Sequence, residues 1–211
     1  MPWSRKPVSP VFGLDRGTPI DRHYISAFLA ANAAAISGAI LEFADDTYFG
    51  RYAAPGSTLA IFHGAPGNAS ATIVGDLGSA DFLAGCPQRF DCIICTQVLQ
   101  FIYPFHQATR NLYGMLRPGG VLLLTASGIS QISRYDMDRW GDYWRFTSLS
   151  LKRLFEETCP DAEVEIEAHG NVLAAVAFLH GLSTEEVGAK ALDRRDPDYE
   201  VSLCVRCRKP G

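Results

Sequence analysis

The sequence predicts an α/β fold in which a doubly wound, mostly parallel sheet of seven strands carries helices on both faces. Apolar, strand-like runs alternate with helix-like segments along the 211 residues. This alternation is typical of parallel sheets. The run Val121-Leu122-Leu123-Leu124-Thr125 has no polar alternation, which indicates a strand buried on both faces. The last two strands are expected to form an antiparallel edge, and residues 1–211 a single domain.

The first half of the chain predicts one helix and then four strands. The helix is expected from Ile20 to about Ser37, with Gly38 as its C-cap. Apolar runs place the strands at residues 39–43, 57–63, 71–77 and 90–96.

The second half predicts three helices and three strands. A helix over residues 104–116 is stopped by the Pro/Gly turn at 117–120. The strand at 121–125 follows, and then a helix over 148–157 with Thr147 or Ser148 as its cap. The remaining segments are a period-two strand at 162–167, a helix over 171–187 and a final strand at 199–208.

Composition and charge narrow the class of protein. Hydrophobic residues make up 47% and charged residues 20% of the chain, an ordinary globular mixture. The net charge of −4 disfavours nucleic acid and favours a small-molecule partner. Met1–Pro7 lacks the apolar run of a signal peptide, and the longest apolar stretch, Val172–Leu179, is too short to span a bilayer. We expect a cytoplasmic protein without a membrane partner; a homodimer is left open.

Two pairs among the six cysteines have the CxxC spacing of zinc sites, Cys92/Cys95 and Cys204/Cys207. Both pairs lie in strand-like segments, where residues three apart point to opposite faces of the sheet. Neither pair can then chelate one ion. We expect buried thiols and no metal.

Five segments in order resemble class I S-adenosylmethionine-dependent methyltransferases that act on small molecules, of the methyltransferase type 11 kind. Leu116-Arg117-Pro118-Gly119-Gly120 resembles the family's entry into the fifth strand, and Tyr143-Trp144-Arg145-Phe146-Thr147 its "YWRFT" stretch. The other three segments are Ile40–Asp46, Val74–Leu77 and Phe90–Gln100. The resemblance implies a Rossmann-like sheet and S-adenosylmethionine as cofactor, with S-adenosylhomocysteine as product. It implies an N-terminal extension at 1–37, a cofactor-binding half at 38–127, and a lid and substrate half at 128–211.

Carried over by position, the resemblance assigns the cofactor contacts. Glu42 would accept from the methionyl ammonium, Asp76 from the adenine amine, and Thr96 and Gln97 would lie beside the sulfonium. The full expected set is Glu42, Phe43, Ala44, Asp45, Gly64, Asp76, Leu77, Thr96 and Gln97. Alternatives stay open: Glu42 as a charge at a helix N-terminus or in a surface pair, and Asp76 as a helix cap.

The sequence departs from the family at two places. Ala44, Asp46 and Tyr48 stand at or near positions that are usually glycine, so the glycine-rich turn is degenerate. The second strand ends in His63-Gly64, where the family usually has an acid for the ribose hydroxyls.

The segment after the fifth strand is expected to roof the site. Arg134, Tyr135, Trp140 and Trp144 would orient the substrate, and Tyr24 would approach from the N-terminal helix. The alternative is that Trp140 and Trp144, four residues apart on one helical face, anchor the core. Candidate general bases are Asp136, Asp138 and His63.

The sequence thus favours methyl transfer to a natural-product or sugar-like acceptor. The alternative is a methyltransferase-like protein that has lost the transfer reaction. Such a protein would act as a binding or scaffold subunit, or catalyse a cyclisation or rearrangement in the same pocket. The sequence disfavours a nicotinamide-dependent oxidoreductase, because no G-x-G-x-x-G follows the first strand.

Overall fold

A computed structural model describes residues 5–211; Met1–Ser4, part of the segment used to judge a signal peptide, lie outside the described residues. The sheet has seven strands in the order β3-β2-β1-β4-β5-β7-β6. The strands are β1 Ala39–Phe43, β2 Thr58–His63, β3 Ile73–Val74, β4 Phe90–Thr96, β5 Leu116–Ser127, β6 Glu163–His169 and β7 Ser202–Arg208. Strands β1 to β5 pair in parallel, whereas β7 is antiparallel to both β5 and β6. The predicted fold class is confirmed.

The helices lie on both sides of this sheet. They are α1 Ile20–Ala31, α2 Phe49–Tyr52, α3 Phe82–Gly85, α4 Phe105–Met115, α5 Arg134–Met137, α6 Ser148–Thr158, α7 Val172–His180, α8 Thr184–Val187 and α9 Ala189–Leu192. Short 3-10 turns occur at Ala33–Ala35 and Leu99–Phe101. Among residues 5–211, every helix is too short or too polar to cross a membrane.

Strand alternation divides the core between the two faces. On one face Leu41, Ile93 and Leu122 join the buried residues of α4 and α6 in one cluster. On the other face Ile40, Ile94 and Leu123 pack with the buried face of α1. A third cluster joins α1 to α7 and α9. Because α1 takes part in two clusters, it fixes the C-terminal helices against the sheet.

Several predicted boundaries are wrong for local reasons. Helix α1 ends at Ala31 with Asn32 as C-cap, and Gly38 instead enters β1 at φ +77° against the Asp91 side chain. The single helix predicted over 171–187 is two helices, because Gly181 adopts the left-handed conformation and closes α7. Strand β3 keeps only Ile73–Val74 of the predicted 71–77.

Strand β5 is longer than predicted. It begins at Leu116, which pairs with Phe90, and the register then shifts so that Val121 pairs with Cys92. The Pro/Gly turn predicted at 117–120 therefore lies inside the strand as an irregularity, with Gly119 at φ +80°. At the other end of the chain β7 begins at Ser202, not at Tyr199.

The cysteine geometry follows the strand argument. Cys92 and Cys204 lie in the cluster under α1, whereas Cys95 and Cys207 lie in the cluster under α4 and α6. Each CxxC pair is thus split across the sheet. All six thiols are buried and free.

The N-terminus of α6 offers a test of the local folding argument. Thr147 Oγ1 accepts from the Ser150 N–H at 3.2 Å and Ser150 Oγ accepts from the Thr147 N–H at 2.9 Å, which forms a capping box. Replacing Thr147 with alanine should lower the free energy of unfolding by about 1 kcal/mol, since it leaves a helix N–H without its acceptor. Urea denaturation measures this. Ser148→Ala is the matched control and should change little; an equal loss in both variants would contradict the capping role.

Candidate functional site

The strand order reverses at β1, which has β2 on one side and β4 on the other. In open α/β sheets ligands bind beyond the carboxyl ends of the strands at such a point. The turns that leave β1, β2, β4 and β5 begin at Ala44, Gly64, Gln97 and Gly128. We therefore take the region above these four turns as the candidate site and refer to it as the crevice.

Glu42 holds the turn that follows β1. Its side chain is only 2% exposed; Oε1 accepts from the Tyr48 N–H at 2.8 Å and Oε2 from the Phe49 N–H at 2.7 Å. Burial raises the pKa of Glu42 to about 7, against the lowering effect of these two bonds, and the nearby Asp45 and Asp46 raise it further. The Glu42 side chain thus fixes the start of α2. This placement resembles the alternative in which Glu42 is a charge at a helix N-terminus. A carboxylate with two bonds still has lone pairs for a ligand donor, so the cofactor contact stays a prediction.

Ala44 gives the turn its shape. Its φ of +70° lies in the left-handed region that glycine normally occupies. The Ala44 N–H donates to the Phe62 carbonyl at 3.0 Å and its own carbonyl accepts from Asn68 Nδ2 at 2.7 Å. Residues Ala44 to Thr47 are exposed. The turn therefore has a glycine-like course without glycine, and it faces solvent.

The segment between β5 and α6, residues 128–147, is called the lid here, and one of its aromatic side chains covers the end of β2. The Trp140 ring meets the His63 ring edge-to-face with centroids 5.3 Å apart. A Cβ placed on Gly64 would lie 3.4 Å from the Trp140 ring. His63 Nδ1 lies 2.6 Å from the Ala65 carbonyl oxygen. Trp140, still 36% exposed, is a roof over the position where the family usually has its ribose-binding acid.

Three uncharged side chains, those of Gln97, Gln100 and Ser127, form a hydrogen-bonded cluster at the ends of β4 and β5. Gln97, at φ +56°, accepts on Oε1 from Gln100 Nε2 at 2.9 Å and from Ser127 Oγ at 2.8 Å. Gln100 is only 3% exposed, and its Oε1 has no partner among the described residues. The Thr125 hydroxyl is likewise buried without a partner in the described chain. These unsatisfied acceptors and donors suit a neutral polar ligand.

The sequence argument missed Gln100. Its signal is the single polar residue inside the apolar run Val98-Leu99-Gln100-Phe101-Ile102, directly after a strand end. The Gln100 carbonyl accepts from the N–H groups of Tyr143 at 2.9 Å and Trp144 at 3.3 Å. Gln100 thus joins the floor of the crevice to the lid.

Of the residues expected to contact the cofactor near its adenine, some lie in the core and others on the surface. Leu77 and Phe43 pack into the core, where Phe43 lies 4.8 Å from Phe62 by ring centroids. Asp76 is exposed and accepts from the Gly78 N–H at 2.8 Å, so it shapes its own turn. No described helix begins near Gly78, because α3 begins at Phe82 with Asp81 as its N-cap, so the helix-cap alternative is wrong. It lines a surface groove of about 460 Å³ between β3 and α3. Asp76 follows β3, two strands away from Glu42, and Thr96 ends β4 half-buried beside the crevice.

The lid does not contain the helix that the tryptophan spacing suggested. Helix α5 ends at Met137, and Gly141 at φ +92° breaks the chain direction between the two tryptophans. The prediction that Trp140 and Trp144 share one helical face is therefore wrong. Trp144 donates from Nε1 to the Ile102 carbonyl at 3.2 Å and lies against Phe105, so it is a core anchor, while Trp140 is the roof.

Tyr24 packs inside the protein, in the third core cluster. It is 2% exposed and donates its hydroxyl to the Leu192 carbonyl at 3.1 Å, with its ring stacked on His169. The expectation that Tyr24 would approach the substrate is wrong, because α1 turns Tyr24 into the third core cluster.

The remaining lid residues lie on α5. Asp136 Oδ2 accepts from Ser133 Oγ at 2.6 Å at the helix start, and Asp138 is exposed at its end. Arg134 and Tyr135 are exposed as well, and Tyr135 is covered by the Arg139 guanidinium at 3.5 Å. Their roles as base or substrate contacts stay predictions.

Comparison with known proteins agrees with this architecture. Residues 63–124 match the model of a methyltransferase domain family. An S-adenosylmethionine-dependent methyltransferase from Mesorhizobium loti is 16% identical with a TM-score of 0.57, over 93% of this chain and 100% of that one. The N-methyltransferase NodS from Bradyrhizobium japonicum WM9, solved with S-adenosyl-L-homocysteine, is 16% identical with a TM-score of 0.53, over 97% and 95%.

The same fold also occurs in a protein with another activity. The cyclase SpnF is 15% identical with a TM-score of 0.54, over 97% of this chain and 88% of that one. No curated protein sequence matches significantly. At these identities the likeness concerns the fold.

The strained turn at Ala44 yields a stability prediction. Replacing Ala44 with glycine should raise the free energy of unfolding by about 0.5–1 kcal/mol, since a left-handed alanine costs more than the extra chain entropy of glycine. Ala53→Gly is the matched control, because Ala53 has φ −67° and should lose stability instead. Urea denaturation of both variants measures the difference. Destabilisation by Ala44→Gly would contradict the assigned conformation.

Proposed function

Because this chain has the fold of the class I S-adenosylmethionine-dependent methyltransferases, we propose that it binds S-adenosylmethionine beyond β1, β2 and β4. We further propose that it transfers the methyl group to a small natural-product- or sugar-like acceptor. The observation that carries the proposal is the turn after β1. Ala44 adopts the glycine-like conformation there, and Glu42 fixes the turn from below.

The shape of this turn suits the cofactor. The left-handed conformation at Ala44 shapes an exposed turn over residues 44–47 that a nucleoside would contact closely. The buried Glu42 carboxylate is the group that would accept from the methionyl ammonium, directly or through water. Trp140 would cover the adenosine from the His63 side and exclude water. Asp76 would reach the adenine amine from the third strand.

The ends of β4 and β5 suit the acceptor. Methyl transfer is an in-line displacement at the sulfonium carbon, so alignment can supply most of the rate acceleration. Gln97, Gln100 and Ser127 carry no charge, and the buried Gln100 Oε1 has no partner among the described residues. They would orient a neutral acceptor by hydrogen bonds from its O–H or N–H groups. His63, Asp136 and Asp138 remain the candidate bases where a proton must be removed.

A second candidate function is a methyltransferase-like protein without methyl transfer. The Trp140 ring over Gly64 and the missing ribose acid favour it, because both change the cofactor side of the site. The fold of the cyclase SpnF gives a precedent for other chemistry in this architecture. Such a protein would bind a ligand in the crevice and serve as a binding or scaffold subunit, or catalyse a cyclisation or rearrangement.

Calorimetry with S-adenosylhomocysteine tests the proposal. We expect binding, with a change in tryptophan fluorescence that Trp140→Phe abolishes and Trp144→Phe retains, because Trp140 borders the crevice and Trp144 is in the core. A panel of hydroxyl- and amine-bearing acceptors with labelled cofactor then measures transfer. Absence of binding at millimolar ligand would sink the proposal. Binding without turnover would favour the second candidate.

Cofactor binding should depend on pH through Glu42. Its pKa of about 7 means that the carboxyl is mostly neutral at pH 6 and mostly ionised at pH 8. Since only the ionised form attracts an ammonium, affinity should rise roughly tenfold over this range. Calorimetry at the two pH values measures it. Glu42→Gln, checked for folding by circular dichroism, should flatten the dependence; a flat profile in the unchanged protein would contradict the role of Glu42.

A further inference from the structure

Helix α7 is apolar on both of its sides, although only one side faces the core. The inner side packs in the third core cluster through Ala174, Ala175, Ala177 and Phe178. The outer side chains, each between 39% and 51% exposed, are Val172, Leu173, Val176 and Leu179. Residues 172, 176 and 179 are spaced four and three apart, so they lie on one face of the helix. An apolar helix face is therefore left open to solvent.

The N-terminal segment, residues 8–14, enlarges this surface at the carboxyl end of α7. The Val8 N–H donates to the His180 carbonyl at 2.8 Å, and the Phe12 and Phe178 rings lie 5.8 Å apart by centroids. The exposed apolar side chains of this segment are Val8, Val11 and Leu14. Among residues 5–211, ten large aliphatic side chains are exposed, and seven of them belong to α7 or to this segment. The exposed apolar residues are thus concentrated in one region and not scattered over the surface.

The size of this surface fits a contact between two copies of the chain. Seven side chains that are about half exposed present on the order of 500 Å² of apolar area, close to the largest patch of a typical monomer. A symmetric contact buries the patch of both copies, about 1,000 Å² in total, which is the lower limit for a specific interface. Patches of this size mark interaction sites.

The charges favour a second copy over a lipid surface. No residue from Val172 to Leu179 is charged, so the face needs an equally apolar counterpart, and the same face of another copy provides one. Glu185 and Glu186 follow in α8, and the net charge of the chain is −4. Both disfavour the anionic headgroups that attract peripheral proteins to membranes.

We propose that the outer face of α7 and the N-terminal segment form the contact surface of a symmetric homodimer. The α7 helices of the two copies pack against each other about a two-fold axis near Val176, the middle of the exposed face. Such a contact uses the same patch on both copies, which is the commonest arrangement in soluble oligomers. The inference does not depend on the proposed function, since it concerns the outer side of α7 and no residue assigned to the cofactor or the acceptor.

Sedimentation equilibrium of the full chain, from low micromolar to hundreds of micromolar, tests the proposal. The mass should rise with concentration toward twice the 23.0 kDa of one chain. A monomer over the whole range would overturn the proposal. A monomer that cosediments with vesicles of phosphatidylcholine and phosphatidylserine would overturn it as well and would assign the face to lipid.

Two matched variants locate the contact on α7. Leu173 and Leu149 are each the second residue of a helix, α7 and α6, and are 51% and 65% exposed. Leu173→Glu should weaken association at least about 100-fold, because it places an unpaired carboxylate in a dry contact. Leu149→Glu should associate like the unchanged protein. With both variants shown to be folded by circular dichroism, equal association of the two would contradict a contact through α7.

Cross-linking gives an independent readout at the proposed axis. All six native cysteines are buried, so a cysteine introduced on the surface is the accessible one. A short bismaleimide should link two copies of Val176→Cys and leave Leu149→Cys unlinked. Linkage of Leu149→Cys without linkage of Val176→Cys would place the contact on another face and overturn the proposal.

Discussion

The Glu42 carboxylate is the interaction on which the candidate site depends. It is buried at the carboxyl end of β1, and its two oxygens are used by consecutive backbone N–H groups at the start of α2. A buried carboxyl group is costly unless it is hydrogen-bonded, and here the two bonds offset part of that cost. The backbone between Phe43 and Tyr48 is thereby fixed at both ends. This bond pair is one of the contacts that hold Ala44 in its left-handed conformation above the sheet.

This constraint explains how a turn without its usual glycines keeps its course. An alanine at positive φ carries strain, and strained residues persist where their surroundings over-determine them. Ala44 is held by the Phe62 carbonyl and by Asn68 in addition to the anchored turn. Gln97 at φ +56° is a second strained residue at the neighbouring strand end, and it is held by Gln100 and Ser127. Both strained residues therefore lie on the rim of one crevice.

The fold could be predicted from sequence because strand burial leaves a strong pattern. Strands β1 and β4 have the predicted bounds, since each is a short apolar run between clear turns. The boundary at Gly181 was missed although the sequence carries a signal for it, because Ser183 and Glu186 have the spacing of a capping box directly after this glycine.

The candidate site was predictable only in outline. Strand-end positions such as Glu42 and Gln97 follow from the order of the strands. The orientations of Tyr24, Trp140 and Trp144 depend on where a helix stops, and the tryptophan spacing suggested a helix that Gly141 does not allow. Gln100 was missed because its neighbours are apolar, and only the folded chain reveals that its amide oxygen lies unpaired beneath the lid.

Asp142 connects the two ends of the lid, which are held by different kinds of contact. Its carboxylate binds Arg145 through both oxygens and also accepts from the Ser133 N–H, so it ties the beginning of the loop to its end. The stem beside Trp144 is further fastened to the Gln100 carbonyl, whereas Trp140 touches β2 through ring contacts alone. Displacing the indole would therefore break no ladder of main-chain bonds. The Arg145 end of the loop is therefore fixed by polar bonds, whereas the indole of Trp140 is held over β2 by packing alone.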